Sequence, residues 1–145
     1  MKPTIQLCLT ATLILLFTYA AASKLSDTSL FRAQLYLQPF PHSLANALVF
    51  AIPALELFAI GLLCTDRTRT AGLRLSLGLL SAFTAYIGLI LLFGSGQLPC
   101  SCGGILNRMS WGGHLVFNSV FVLAALIALR LHSKKREPKR TSVSL

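Results

Sequence analysis

The sequence predicts an all-α integral membrane protein, an up-down four-helix transmembrane bundle with both termini cytoplasmic. Three observations predict it. The chain is 54% hydrophobic and only 12% charged over 145 residues, a length that allows one domain. Its apolar residues fall into four blocks of bilayer-spanning length, about twenty residues each. Its cations sit beside the ends of those blocks. The net charge of +9 therefore reads as membrane topology and excludes a nucleic-acid partner, and the lipid bilayer is the partner the composition demands.

The first block, residues 5–22 (IQLCLTATLILLFTYAAA), opens the bundle. "YAAAS" after it resembles a signal-peptidase site, but the block is long for a leader and has one lysine before it, so it is expected to stay as a span. The second block is residues 44–63, the third 73–93 and the fourth 114–131. None alternates as a barrel strand would, which leaves helices as the way to satisfy the backbone in lipid. Residues 1–132 form the predicted membrane domain, and 133–145 a polar, basic cytoplasmic tail.

Threading four spans from a cytoplasmic N-terminus puts Lys2, Arg67, Arg69, Arg74, Arg130, Lys134, Lys135, Arg136, Lys139 and Arg140 inside, against Lys24, Arg32 and Arg108 outside. That obeys the positive-inside rule. Between the first two spans, residues 23–43 predict a short interfacial helix capped by Ser26 or Asp27 and ended by Pro39 and Pro41, with Leu30, Phe31, Leu35 and Leu37 as its apolar face. The third span carries Gly78, Ser81, Ala82, Ala85 and Gly88 on one stripe, the pattern of close helix packing in lipid.

The chemistry-bearing residues are few. The outer loop between the third and fourth spans reads "PCSCGG", with Cys100 and Cys102 one residue apart. Two extended residues span about 6.6–7.2 Å, and a disulfide needs Cα atoms about 4.4–6.8 Å apart, so a bent chain can close the ring. Such a small ring contributes only about 1.6 kcal/mol by chain entropy, before strain. Strained, exposed bridges are the labile ones. Exchange chemistry is thus favoured over soft-metal binding or a purely structural bridge. His114 follows at the outer end of the fourth span, on one helical face with Trp111 and Asn118. A nearby imidazolium would raise the thiolate fraction of the pair; an ordinary helix-start histidine, a Trp111 interface anchor and an Asn118 interhelical bond are the plainer readings.

Glu56 is the one acid inside a span, three residues after Pro53. An intramembrane carboxyl suggests function because carrying it costs free energy. It suits proton handling or the lining of a quinone pocket, or else fixes the packing, with Tyr19, Thr84 and Tyr86 as polar company. Cys8 and Cys64 lie near the inner ends of the first two spans and read as small hydrophobes. Neither CxxC nor HExxH occurs.

With those residues in view, the chain resembles the methylamine-utilisation protein MauE family, within the wider DoxX-like group of small membrane proteins. "ASKLSDTSLFRAQL", "PALELFAIGLLC" and "PCSCGGILNRMSWGGHLVFN" carry the likeness, through Lys24, Leu25, Asp27, Phe31, Glu56, Leu57, Gly61 and a cysteine-bearing third loop. The resemblance implies a four-helix protein of the bacterial inner membrane, linked to maturation of a disulfide-rich periplasmic dehydrogenase, alongside a thioredoxin-like partner. The DoxX-like likeness implies quinone-linked redox chemistry. The expectation is a thiol–disulfide exchange protein with Cys100, Cys102, His114 and Glu56 as its working residues. A soft-metal carrier using Cys100, Cys102 and His114 outside and Cys8 and Cys64 inside is the rival reading, and a non-redox assembly subunit the third.

Overall fold

A computed structural model describes residues 2–39, 41–93 and 110–136. The elements are α1 (Lys2–Ser26), α2 (Thr28–Tyr36), α3 (His42–Cys64), α4 (Arg69–Phe93) and α5 (Trp111–Arg136). Among the described residues there is no strand, and α1, α3, α4 and α5 are long and apolar enough to cross a membrane. A 23-residue helix such as α3 is about 35 Å long at 1.5 Å per residue, enough for a hydrocarbon core of about 30 Å. The helices outrun the apolar blocks at their polar ends, and α5 continues through Ser133 to Arg136. An apolar stretch marks what can lie in lipid, whereas a helix can run on past it into polar residues.

Four helices go around a square: α1 packs on α3 and α5, and α4 on α3 and α5, leaving α1/α4 and α3/α5 as diagonals. The surface is inverted relative to a water-soluble protein. Leu15 is 70% exposed, Phe58 60% and Leu123 60%, while Gln6, Lys24, Glu56, Ser76, His114 and Asn118 are buried. That distribution suits a bundle whose solvent is lipid. Buried hydroxyls turn back on their own helix: Thr10 donates to the Gln6 carbonyl and Ser76 to that of Gly72, both at 2.8 Å. The central core is Leu13, Phe17, Leu63, Leu73, Leu80, Ala125 and Ala128. At the end where α1 begins and α5 finishes, Gln6 and His132 meet at 2.6 Å.

Helix α2 begins as the sequence requires. The Asp27 carboxylate accepts the backbone N–H of Leu30 at 2.9 Å and the Ser29 hydroxyl at 2.7 Å, an N-cap that satisfies one of the first turn's orphan donors. Those bonds, Leu30's first, hold the Asp27 carboxyl below its ordinary range. Helix α2 does not simply lie in the interface. Phe31 and Leu35 are buried on Ala45 and Val49 of α3, whereas Leu30 and the C-cap residue Leu37 stay exposed. The apolar stripe is thus divided between the bundle and the surroundings.

The turn from α3 to α4 is tight. The Thr68 hydroxyl donates to the Leu62 carbonyl at 2.9 Å and Arg69 Nε to that of Leu63 at 3.2 Å, so two α3 carbonyls left without intrahelical donors are satisfied. Gly72 makes this turn possible: a Cβ there would lie 2.9 Å from the Leu63 nitrogen and 3.0 Å from Leu62. The small-residue stripe expected to pack, by contrast, does not. Gly78, Ser81, Ala82 and Ala85 are exposed, and a Cβ at Gly78 or Gly88 meets nothing within 4 Å. The packed face of α4 is Gly72, Leu73, Ser76, Leu80, Ile87 and Ile90, where larger side chains fill the space between helices.

Two outcomes check this architecture. Gly72→Ala should destabilise the bundle by about 1–3 kcal/mol, the usual cost of overpacking, whereas Gly78→Ala should be neutral or slightly stabilising; thermal unfolding of both proteins in detergent decides, and equal midpoints would reject the close approach. For Asp27, the lowered pKa means that the cap's contribution is complete above the ordinary carboxylate pKa and is lost as pH falls through the lowered value. The protection factors of the α2 amides should therefore hold to mildly acidic pH and fall only below it, and Asp27→Ala should lower them already at neutral pH.

Candidate functional site

The polar residues of the bundle converge on one cavity of about 370 Å³. Every helix contributes to its wall, and the wall is mostly apolar. Lys24 reaches it from the last turn of α1. A helical side chain leans toward its own N-terminus, and the Lys24 ammonium accordingly bends back to donate to the Ala20 carbonyl at 3.2 Å. It then meets Glu56 Oε1 of α3 at 2.8 Å, with both side chains at most 10% exposed. The Phe31 ring lies 5.8 Å from the same nitrogen, within cation–π range.

Glu56 stands three residues past Pro53, and α3 runs through that proline unbroken. Its second oxygen, Oε2, is buried without a hydrogen-bond partner among the described residues. A buried acceptor without a partner is uncommon in native structures. Asn118 of α5 offers the complement: it is 6% exposed, and its Nδ2 is buried with no partner among the described residues. Because α3 and α5 are diagonal, these two groups face the cavity from opposite walls.

His114 also lines the cavity and is 1% exposed. Ser110 places it: the Ser110 hydroxyl accepts the Gly113 N–H at 3.2 Å and its carbonyl the His114 N–H at 3.0 Å. That N-cap starts α5 so that His114 and Asn118, four residues apart, share the inward face. On the α2 side, Tyr86 of α4 donates its hydroxyl to Gln38 Oε1, and Gln38 Nε2 donates to the Gln34 carbonyl at 3.3 Å. This ties the connector after α2 to the rim of the cavity.

The expected site residues fare differently. Glu56 and His114 are brought to one cavity, with Asn118 beside His114, and Trp111 is half-buried outside the cavity wall. Cys100 and Cys102 lie outside the described residues. Of the polar company expected for Glu56, Tyr86 lines the cavity, Tyr19 is 38% exposed, and Thr84 bonds the Leu80 carbonyl at 2.6 Å. The actual partner is Lys24, which the charge count treated as a solvent cation. A signal was present: a lone carboxyl in a span asks for a cation, and Lys24 is a lysine at the edge of an apolar block. Cys8 and Cys64 are free and exposed, and among the described residues no three His, Cys, Asp or Glu side chains gather as a metal site.

Fold and site together define a small four-span membrane protein with a charged, apolar-walled pocket in its bundle. The chain belongs to a known family of that kind: residues 2–131 match the family described as methylamine utilisation protein MauE. It is thus a MauE-type, methylamine-utilisation-associated membrane protein. No curated protein and no solved structure matches the chain.

The ion pair makes a sharp prediction. Glu56→Gln would be conservative for a solitary carboxyl, but here it strands the Lys24 ammonium in the bundle. Glu56→Gln and Lys24→Met should each destabilise by about 3–5 kcal/mol, and the double variant should recover most of that loss. Thermal unfolding of all four proteins gives the coupling; additive losses would mean that the two charges do not depend on each other.

Proposed function

We propose that the protein performs thiol–disulfide exchange on the extracytoplasmic side of the bacterial inner membrane, through Cys100 and Cys102. The observation that carries this reading is the gathering of His114, Lys24 and Glu56 in one cavity whose α5 wall starts nine residues after Cys102 in the sequence. His114 is one turn into α5 from Ser110, about 6 Å along the axis. Proton-handling groups thus stand close to where the segment with the two thiols returns to the bundle.

A thiolate of a periplasmic thioredoxin-like partner attacks one sulfur of the CxC bridge; a mixed disulfide forms, and the other cysteine leaves as thiolate. The partner's second thiolate resolves the adduct, leaving the partner oxidised and the CxC pair reduced. Reoxidation then removes two electrons and two protons from the pair and delivers them to a two-electron acceptor in the bilayer. His114 and Glu56, which line the cavity, would take those protons. The direction of exchange fits maturation of disulfide-bearing redox enzymes outside the cytoplasm, and the family's methylamine-utilisation description points to a dehydrogenase of that pathway as the beneficiary.

The topology follows from charge. The six cations of residues 130–140 mark a cytoplasmic C-terminus, and burial of Lys24 removes one of the few cations counted outside, which strengthens the bias.

Exchange predicts that Cys100→Ser or Cys102→Ser accumulates a reductant-sensitive adduct with an extracytoplasmic protein, because the resolving thiol is missing. The double variant should lose the adduct and keep the fold. Two active single variants without any adduct would rule exchange out, and loss of soft-metal uptake in both would turn the reading to a metal carrier. A membrane-impermeant thiol reagent should label Cys100 or Cys102 in reduced whole cells and spare Cys64; labelled Cys64 would invert the threading.

A further inference from the structure

The exposed cations among the described residues gather at one end of the bundle, where α1 begins and α5 finishes. Lys24, toward the other end, is buried against Glu56, and Arg32 is half-buried. Arg67, Arg74, Arg130 and Lys134 are exposed. Asp66 is the acid of this end among the described residues, and Arg69 takes it; Glu137 lies outside the described residues. Arg74, Arg130 and Lys134 therefore have no carboxylate partner among the described residues. Guanidinium groups in that state suit phosphate, which each can engage through two parallel N–H donors.

Placement narrows the partner. Leu73 of α4 and Ala128 of α5 share one core cluster, so Arg74 and Arg130, one and two residues on, stand at about the same level of two neighbouring helices. Gly72 abuts α3, and at about 100° per residue Arg74 lies about 200° round from it, away from α3. Packed helix axes are about 8–10 Å apart, so one guanidinium group on each helix matches two phosphates rather than one. Lys134 is one turn beyond Arg130 on the same face. Apolar surface adjoins these charges. Leu123 and Ile127, seven and three residues before Arg130, share its face and are exposed. On α4, one turn beyond Arg74, a Cβ at Gly78 would meet nothing within 4 Å. Free phosphate or an acidic peptide on the cations would leave this surface uncovered, whereas an acyl chain covers it.

We propose that the outer face of α4 and α5 at this end binds an anionic phospholipid carrying two phosphates, of the diphosphatidylglycerol type. Arg74 holds one phosphate, Arg130 with Lys134 holds the other, and the acyl chains lie along Leu123, Ile127 and the open flank of α4 at Gly78. Basic surfaces between membrane-crossing helices are a known setting for such headgroups. The site is apart from the cavity and uses no cysteine, so it stands or falls separately from thiol exchange.

The test uses the full chain in an uncharged detergent, with native mass spectrometry reading the lipid retained as diphosphatidylglycerol, phosphatidylglycerol or phosphatidylcholine is titrated. The wild type should retain diphosphatidylglycerol saturably, and phosphatidylglycerol at least about tenfold more weakly, because a second tethered phosphate adds avidity. Phosphatidylcholine should be weaker still. Arg74→Gln and Arg130→Gln should each weaken diphosphatidylglycerol binding about fivefold, the worth of one cation beside an anionic headgroup, and the double variant about twenty-five-fold. Arg67→Gln removes the same charge from the same end outside the site, and should change the affinity by less than about twofold. The lipid-free variants should melt as the wild type does, since each altered side chain is exposed. Pyrophosphate, which has two phosphates and no acyl chain, should leave the lipid in place at equal concentration. Unchanged affinity in either Arg74→Gln or Arg130→Gln, or an equal loss in Arg67→Gln, would overturn the site. Equal retention of phosphatidylglycerol would overturn the two-phosphate assignment, and displacement by pyrophosphate would overturn the lipid as occupant.

Discussion

A lysine and a glutamate meeting at 2.8 Å inside an apolar bundle constrain nearly everything else in this molecule. Neither charge can remain alone in hydrocarbon, and the attraction between them offsets their desolvation only if both are held close. The helices do the holding. Lys24 is in the last turn of α1, where the partial negative charge of the helix end favours a cation, and Glu56 lies well inside α3. The chain between them must therefore carry α3 past the end of α1 before turning back. Helix α2 occupies that excursion, and its Phe31 and Leu35 bury themselves on the projecting part of α3. The ion pair, the projecting helix and the covering helix are one arrangement.

That arrangement explains why the cavity lies where it does. Near the α3–α4 turn, Gly72 lets the two backbones approach closely, and Leu63, Leu73 and Leu80 fill the interior. Farther along, the interior positions are taken by Glu56, His114 and Asn118, which do not fill space as leucines do. Apolar side chains stand around them and leave a gap. Replacing the polar residues by leucine would be the simpler way to pack a bundle. Retaining an ion pair, a histidine and an amide at one level costs stability, and such a cost is characteristic of sites rather than of scaffolding.

Much of this was legible in the chain itself. Four apolar blocks can hardly be anything but spanning helices in lipid, because no other local structure satisfies the backbone there. The Asp27 cap was legible as well, since its chemistry is local. What escaped was pairing across helices. Glu56 announced that it needed a partner, but a span says nothing about which residue of another helix lies at its level, and Lys24 looked like a solvent cation. The small-residue stripe of α4 erred for a related reason: periodicity shows that residues share a face, not which face is inward. Gly72, one isolated glycine near a turn, is the close contact instead, and only the backbone path reveals it.

Helix α5 joins the CxC segment, in sequence, to the polar wall of the cavity. Its first turn is fixed by the Ser110 cap, and its inward face then presents His114 and Asn118 to the cavity in successive turns. Along the chain, His114 follows Cys102 by twelve residues and Asn118 follows it by sixteen. If thiols are reoxidised at one end of that series, two electrons and two protons must leave together. Glu56 Oε2, the carboxylate oxygen not held by Lys24, is a buried acceptor in that cavity. The carboxylate thus holds the bundle through Lys24 with one oxygen and leaves the other unengaged among the described residues. Packing alone does not account for an ion pair in which only one of the two carboxylate oxygens is engaged, since a scaffold would satisfy both.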